Sequence, residues 1–167
     1  QGDWSSDVCS SDLDYGYWYN NGVLFPHLTS VSIAVDAATR ENGCLQVVPR
    51  SHEAGRIDHV LSGDQAGADM ERVNALLDRL PVVHCEMDPG DAIFFHANLL
   101  HRSDANRSER PRWSMICCYN AARNDPCRDS HHPRYTPLSV VPDGAILRSE
   151  EHTSELQSPC NLVCRLL

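Results

Sequence analysis

The sequence contains no lysine: all 14 of its basic residues are arginine. That absence excludes every mechanism needing a primary amine, among them Schiff-base catalysis, pyridoxal phosphate attachment and a P-loop lysine. Positive charge is scarce in general. Against 23 acidic residues the chain carries a formal charge of −9, and no basic stripe is present to neutralise a phosphate backbone, so nucleic acid is excluded as a partner. Long apolar runs are missing too, and with none approaching the roughly 20 residues of a bilayer-spanning helix, no membrane span is expected. The 8 cysteines include no CxxC pair, which argues against a disulfide frame or a zinc site and for reduced thiols.

What is present suits small-molecule chemistry in a single core: 167 residues, 41% hydrophobic and 22% charged, enough for one domain and too few for two. The ends read differently from the middle. Gly2–Leu13 and Arg148–Pro159 can be back-translated into one DNA and its reverse complement. Ligated sequencing adapters satisfy that relation automatically. Residues 1–13 and 148–167 are therefore expected to be adapter-derived and non-native, leaving 14–147 as the domain. Of the cysteines, Cys44, Cys85, Cys117, Cys118 and Cys127 lie within it.

Within that span Thr29–Asp36 alternates polar and apolar residues, as a half-buried strand does. Arg40-Glu41-Asn42-Gly43 then turns the chain into Cys44–Pro49, a second strand, so a hairpin is expected. Gly63–Ala68 reads as a small polar loop. Met70, Val73, Leu76, Leu77 and Leu80 recur at helical spacing behind an Asp69 cap. This helix either packs on the barrel or covers its mouth. Val82–Met87 and Ala92–His96 read as strands joined by a type II turn at Asp88-Pro89-Gly90-Asp91, and Arg112–Tyr119 as another. Short strands, regular turns and one inserted helix point to a mainly β fold, a sandwich or barrel of the jelly-roll kind.

The stretch from His96 to Trp113, HANLLHRSDANRSERPRW, carries the chemistry. With His101 on a strand, Ser103 points to the same face, and the polar run Asp104–Arg110 returns the chain so that Arg112 opens the next strand. An imidazole would then serve a metal, and a hydroxyl and guanidinium fork a carboxylate. Far upstream, Asp14-Tyr15-Gly16-Tyr17-Trp18-Tyr19-Asn20 puts a carboxylate at the edge of an aromatic stretch, read as a strand, whose Tyr15, Tyr17 and Trp18 serve as core or as pocket lining. His96 falls on the face opposite His101 and reads as packing, as does His84; His131-His132 lies in a proline-rich exit segment.

From Asp14 to about Pro137 the chain resembles the phytanoyl-CoA dioxygenase family, through DYGYW, ENGCLQVVPRSH, DPGDAIFFH and LLHRSDANRSERPRWS. The resemblance implies a double-stranded β-helix (jelly roll, cupin-like), here N-terminally truncated. It also implies an oxygenase that uses Fe(II) and the co-substrate 2-oxoglutarate with O2 to hydroxylate a small organic substrate. Carried over by position, Asp14 is the carboxylate of the HxD motif and His101 the distal histidine, both metal ligands; Arg112 holds the far carboxylate of 2-oxoglutarate with help from Ser103. Retention of Asp14 favours hydroxylation over halogenation.

Two positions depart from the family's pattern. Arg50 stands where glycine usually precedes Ser-His, a change that costs stability if φ is positive there. Asp12 stands where HxD has its first histidine, so the chain is expected to be impaired. The alternative function is a cupin-like binding module without redox activity, with a zinc hydrolase built on His84, His96 and His101 a weaker third. The cytoplasm is the expected location for a reduced-cysteine iron enzyme. Substrate identity and oligomeric state are not legible.

Overall fold

A computed structural model of the chain describes residues 14–62, 65–131, 136–144 and 164–165. Its centre is a pair of antiparallel three-stranded sheets. One has the order β6 (Ala92–His96), β1 (Leu28–Ala34), β8 (Ser114–Asn120); the other is β5 (Val83–Cys85), β2 (Leu45–Val47), β7 (His101–Ser103). Chain order alternates between the sheets: β1 to β2 crosses, β5 to β6 crosses back, and β6 to β7 to β8 crosses twice more. That alternation is the jelly roll, and it makes the fold mainly β as the strand spacing predicts.

The expected hairpin between β1 and the 44–49 segment does not form. β1 pairs instead with β6 (Ser30 opposite Phe95) and β8 (Ser30 opposite Cys118), while β2 pairs with β5 and β7 (Val47 opposite His101). The turn itself is real: Gly43 has φ 78°, and the Asn42 carboxamide oxygen accepts from Thr39 N–H at 2.7 Å. It carries the chain between sheets rather than back along one, because the strands on either side each find partners much further along the sequence.

Alternation in β1 also means something other than half-exposure. Ser30 and Ser32 are only 3% and 7% exposed; the polar face of the strand turns into the space between the sheets. Three further expectations are corrected. Asp14–Asn20 is a helix, α1, not a strand, so the fold has a second α-helix beside the inserted one. Its Tyr15 and Trp18, three apart, pack on Val23, Leu28 and Ala97, which is helical spacing that the short run concealed. Gln65–Ala68 (β4), expected as loop, pairs with His59–Ser62 (β3). Arg112 precedes β8 instead of opening it.

Helix α2 (Met70–Leu77) begins where predicted, with the Asp69 carboxylate accepting from Glu71 N–H at 3.0 Å. Val73 is fully buried against Val48, Ile57, Ala68 and Leu100, with Met70, Leu76, Leu77 and Leu80 around it. This settles its role as packing, since its apolar stripe is spent on the core. The Asp88–Asp91 turn has Gly90 at φ 93° and an Asp91 N–H to Asp88 carbonyl bond of 3.0 Å. Cys44, Cys85, Cys117, Cys118 and Cys127 are free thiols. No helix among the described residues is long and apolar enough to cross a membrane.

Candidate active site

Between the sheets lies a cavity of about 470 Å³. Asp14, His101, Ser103 and Arg112 all line it, although they come from α1, β7 and the segment before β8. Each is delivered by a local reason. α1 is docked by the Tyr15 N–H to Ala97 carbonyl bond of 3.0 Å and by the aromatic cluster beneath it, which sets Asp14 at the mouth of the inter-sheet space.

His101 is held from two directions. Leu100, just before it, is fully buried, its N–H donating to Ser51 Oγ at 2.8 Å and its carbonyl accepting from Val48 N–H at 2.9 Å. The PRSH segment thus anchors the strand that bears the histidine. The ring's Nδ1 lies 2.9 Å from the Leu99 carbonyl. A carbonyl only accepts, so Nδ1 carries a proton, and in the neutral ring the lone pair is that of Nε2, on the side of the cavity. Nε2 is 4.0 Å from Asp14 Oδ1. The ring of Phe95 backs the imidazole, centroids 4.9 Å apart.

Arg112 is fixed by Nε–H donation to the Asn42 carbonyl at 2.9 Å. The ENG turn therefore supports the arginine as well as reversing the chain, and the two remaining nitrogens of the fork stay available for a carboxylate. Ser103 opposes Leu45 in the sheet and shares a face with His101, two residues earlier. Arg102, between them, faces the other way: its Nε donates to Gln46 Oε1 at 3.3 Å and its guanidinium pairs with Asp104 at 3.5 Å.

Nε2 of His101 and a carboxylate oxygen of Asp14 form a nitrogen and oxygen donor pair at a separation that one divalent ion can bridge, and the pairing suits iron. Among the described residues no third His, Cys, Asp or Glu completes a group around a metal; position 12 lies outside them. His84 opposes Gln46, whose neighbour Val47 opposes His101, so His84 is on the other face of its sheet. His96 opposes Thr29, next to the cavity-lining Ser30, and points away from the site. The three histidines required by a zinc hydrolase do not converge.

A family model described as phytanoyl-CoA dioxygenase matches residues 9–114. The chain belongs to the phytanoyl-CoA dioxygenase family. Among its curated relatives in that family, a probable phytanoyl-CoA dioxygenase of Caenorhabditis elegans is 39% identical over 98 residues, covering 57% of this chain and 30% of the relative. A methylphosphonate hydroxylase of Gimesia maris is 39% identical over 106 residues, covering 64% and 38%. EctD from S. alaskensis, solved with 2-oxoglutarate and 5-hydroxyectoine, superimposes with a TM-score of 0.60 at 27% identity over 70% of this chain and 39% of that one. The chain spans about a third of the length of these curated relatives.

Several residues that support the candidate site escape a reading of the sequence. Ser30 donates from its hydroxyl to Asp14 Oδ2, Asn42 acts through its backbone, and Leu99 through its carbonyl. Ser30 had one signal, a polar residue at an alternate position of an apolar strand; backbone partners have none, since any residue supplies a carbonyl. Tyr15 and Trp18 are core and do not line the cavity.

Proposed function

We propose that the parent of this chain is a non-haem Fe(II)/2-oxoglutarate-dependent dioxygenase that hydroxylates a small organic substrate. Asp14 and His101 act as metal ligands, and Arg112 with Ser103 holds the co-substrate. The observation that carries this is the convergence of a tautomer-fixed imidazole and a carboxylate at 4.0 Å in the cavity that also receives Arg112 and Ser103. Bound Fe(II), with 2-oxoglutarate and O2, supplies chemistry that couples decarboxylation to succinate and CO2 with insertion of an oxygen atom into a substrate C–H bond.

The chain's own residues orient and shield. Arg112, clamped through Nε, offers a rigid fork to the distal carboxylate of the co-substrate, and the Ser103 hydroxyl adds a donor from β7 in the opposite sheet. The Leu99 carbonyl holds Nδ1 of His101 and so aims Nε2 inward, while Phe95 closes the space behind the ring. Asp12 stands where the family motif has a histidine, and it replaces a neutral nitrogen donor with an anion. This chain is accordingly an impaired form of the enzyme, with residues 1–13 and 148–167 non-native. The two-donor set among the described residues favours, as the second reading, a barrel module that binds a small molecule without redox chemistry.

The test is an anaerobic titration of Fe(II) and 2-oxoglutarate into the chain and its Asp12→His variant, following the weak visible charge-transfer band of the chelate. The band is expected with histidine at 12 and should vanish on adding His101→Ala. Its absence from a folded Asp12→His protein sinks the oxygenase reading and favours the binding module.

A further inference from the structure

The row Phe95–Ser30–Cys118 runs straight across the first sheet, since Ser30 of β1 opposes Phe95 of β6 on one side and Cys118 of β8 on the other. All three side chains lie on the inner face. Phe95 lies against the His101 ring, Ser30 donates to Asp14 Oδ2, and Cys118 Sγ lies 3.7 Å from Ser30 Oγ. One cross-strand row thus supports both donors of the candidate centre.

Ser30 is 3% exposed, and its hydroxyl proton is committed to a carboxylate oxygen, the strongest acceptor in reach. The two oxygens of Asp14 are thereby made inequivalent. Oδ2 is taken up by the serine; Oδ1 is the one turned toward His101 Nε2, at 4.0 Å. A carboxylate without such a partner rotates about its Cβ–Cγ bond and can offer either oxygen or both to an ion.

Resting on the reading of Asp14 as a metal ligand, we propose that Ser30 is a positioning residue that holds the Asp14 carboxylate in a one-oxygen binding mode, with Oδ1 presented to the metal. Outer hydrogen bonds to metal-bound groups typically change affinity by about 10- to 100-fold. Loss of the serine hydroxyl therefore weakens metal binding without removing a ligand. Alanine is the apt replacement, as it leaves the strand and the buried volume nearly unchanged.

The measurement is anaerobic titration of Mn(II), read by the loss of its free-ion electron paramagnetic resonance signal, into the Asp12→His chain and versions of it carrying Ser30→Ala, Ser30→Thr or Asp14→Ala. Thermal melts of each establish that it folds. Ser30→Ala should weaken Mn(II) binding by about 10- to 100-fold, Ser30→Thr should restore it, and Asp14→Ala should abolish it. Equal affinity for Ser30→Ala and its parent, with Asp14→Ala still inactive in binding, overturns the role of Ser30 and leaves the metal site standing. Affinity untouched by Asp14→Ala, or no binding by any folded version, overturns both. Should Thr be too bulky to fold, Ser30→Cys preserves volume without a strong donor and is expected to bind as weakly as Ser30→Ala.

Discussion

At the scale of single residues, the clearest local conflict is Arg50. Its φ of 71° lies in the left-handed region, where a Cβ crowds the following carbonyl, and glycine is the residue the family usually has there. The Arg50 guanidinium makes two bonds of 3.1 Å to Glu53, but both side chains are more than half exposed, so the ion pair contributes little. Relief of the backbone strain should win. Arg50→Gly is expected to raise the melting temperature by a few degrees, and a lower melting temperature would show that the ion pair outweighs the strain. A second contrast concerns the thiols. Burial, and then the nearby Asp14 carboxylate, push the Cys118 thiol up from its ordinary value, whereas Cys127 is exposed. Iodoacetamide should therefore label Cys127 well before Cys118 in the folded chain, as peptide mapping by mass spectrometry would reveal.

At the scale of elements, the Arg40–Gly43 turn does three things that its sequence shows only in part. Gly43 takes a positive φ, Asn42 hands its carbonyl to Arg112, and the Glu41 carbonyl accepts from Arg107 N–H at 3.1 Å. The loop before β8 is so close that a Cβ added to Gly43 would sit 2.2 Å from the Asp104 carbonyl oxygen. Because that obstacle is backbone, it cannot swing aside. Gly43→Ala is expected to destabilise the fold by roughly 2–4 kcal/mol and, where folded, to weaken 2-oxoglutarate binding through displacement of Arg112. Denaturant melts and ligand titration check the two effects separately. The helix α2, by contrast, is legible in its cap and its apolar stripe, which are local properties, although the apolar spacing runs on to Leu80 while the helix ends at Leu77. The seven residues of α1 read as a strand in sequence because a run that short carries hardly two helical turns of periodicity.

At the scale of the whole molecule, the pH response follows from where the sheets put their histidines. Partial burial, with His52 and His27 nearby, lowers the pKa of His96, and its Nδ1 accepts from Asn98 N–H at 3.0 Å, which requires the neutral ring. The unfolded chain takes up this proton first as pH falls. His96 therefore contributes stability that is present above its ordinary value of about 6.5 and lost as pH falls through its lower folded value. Melting temperatures from pH 8 to pH 5 should fall less steeply for His96→Asn, whose amide oxygen replaces Nδ1 as acceptor without titrating. An unchanged slope would assign the acid sensitivity elsewhere.

The sequence alone determined the strand segments β1, β2, β5, β6 and β8, the helix α2 and the jelly-roll class, which rest on local periodicity and turn chemistry, and it pointed to the four residues that line one cavity, Asp14 among them through the resemblance to the family's motif. Only the tertiary structure decided which strands pair, that the serine face of β1 turns inward, that Asp14 heads a helix, and that Ser30, Asn42 and the Leu99 carbonyl support the site. The physical reason is the same in each case. Partners in the two central sheets lie far apart in sequence, 67 residues for Thr29 and His96, 88 for Ser30 and Cys118 and 40 for Leu45 and Cys85, and a backbone carbonyl has no side-chain signature. Their positions emerge only when two sheets close over a common interior.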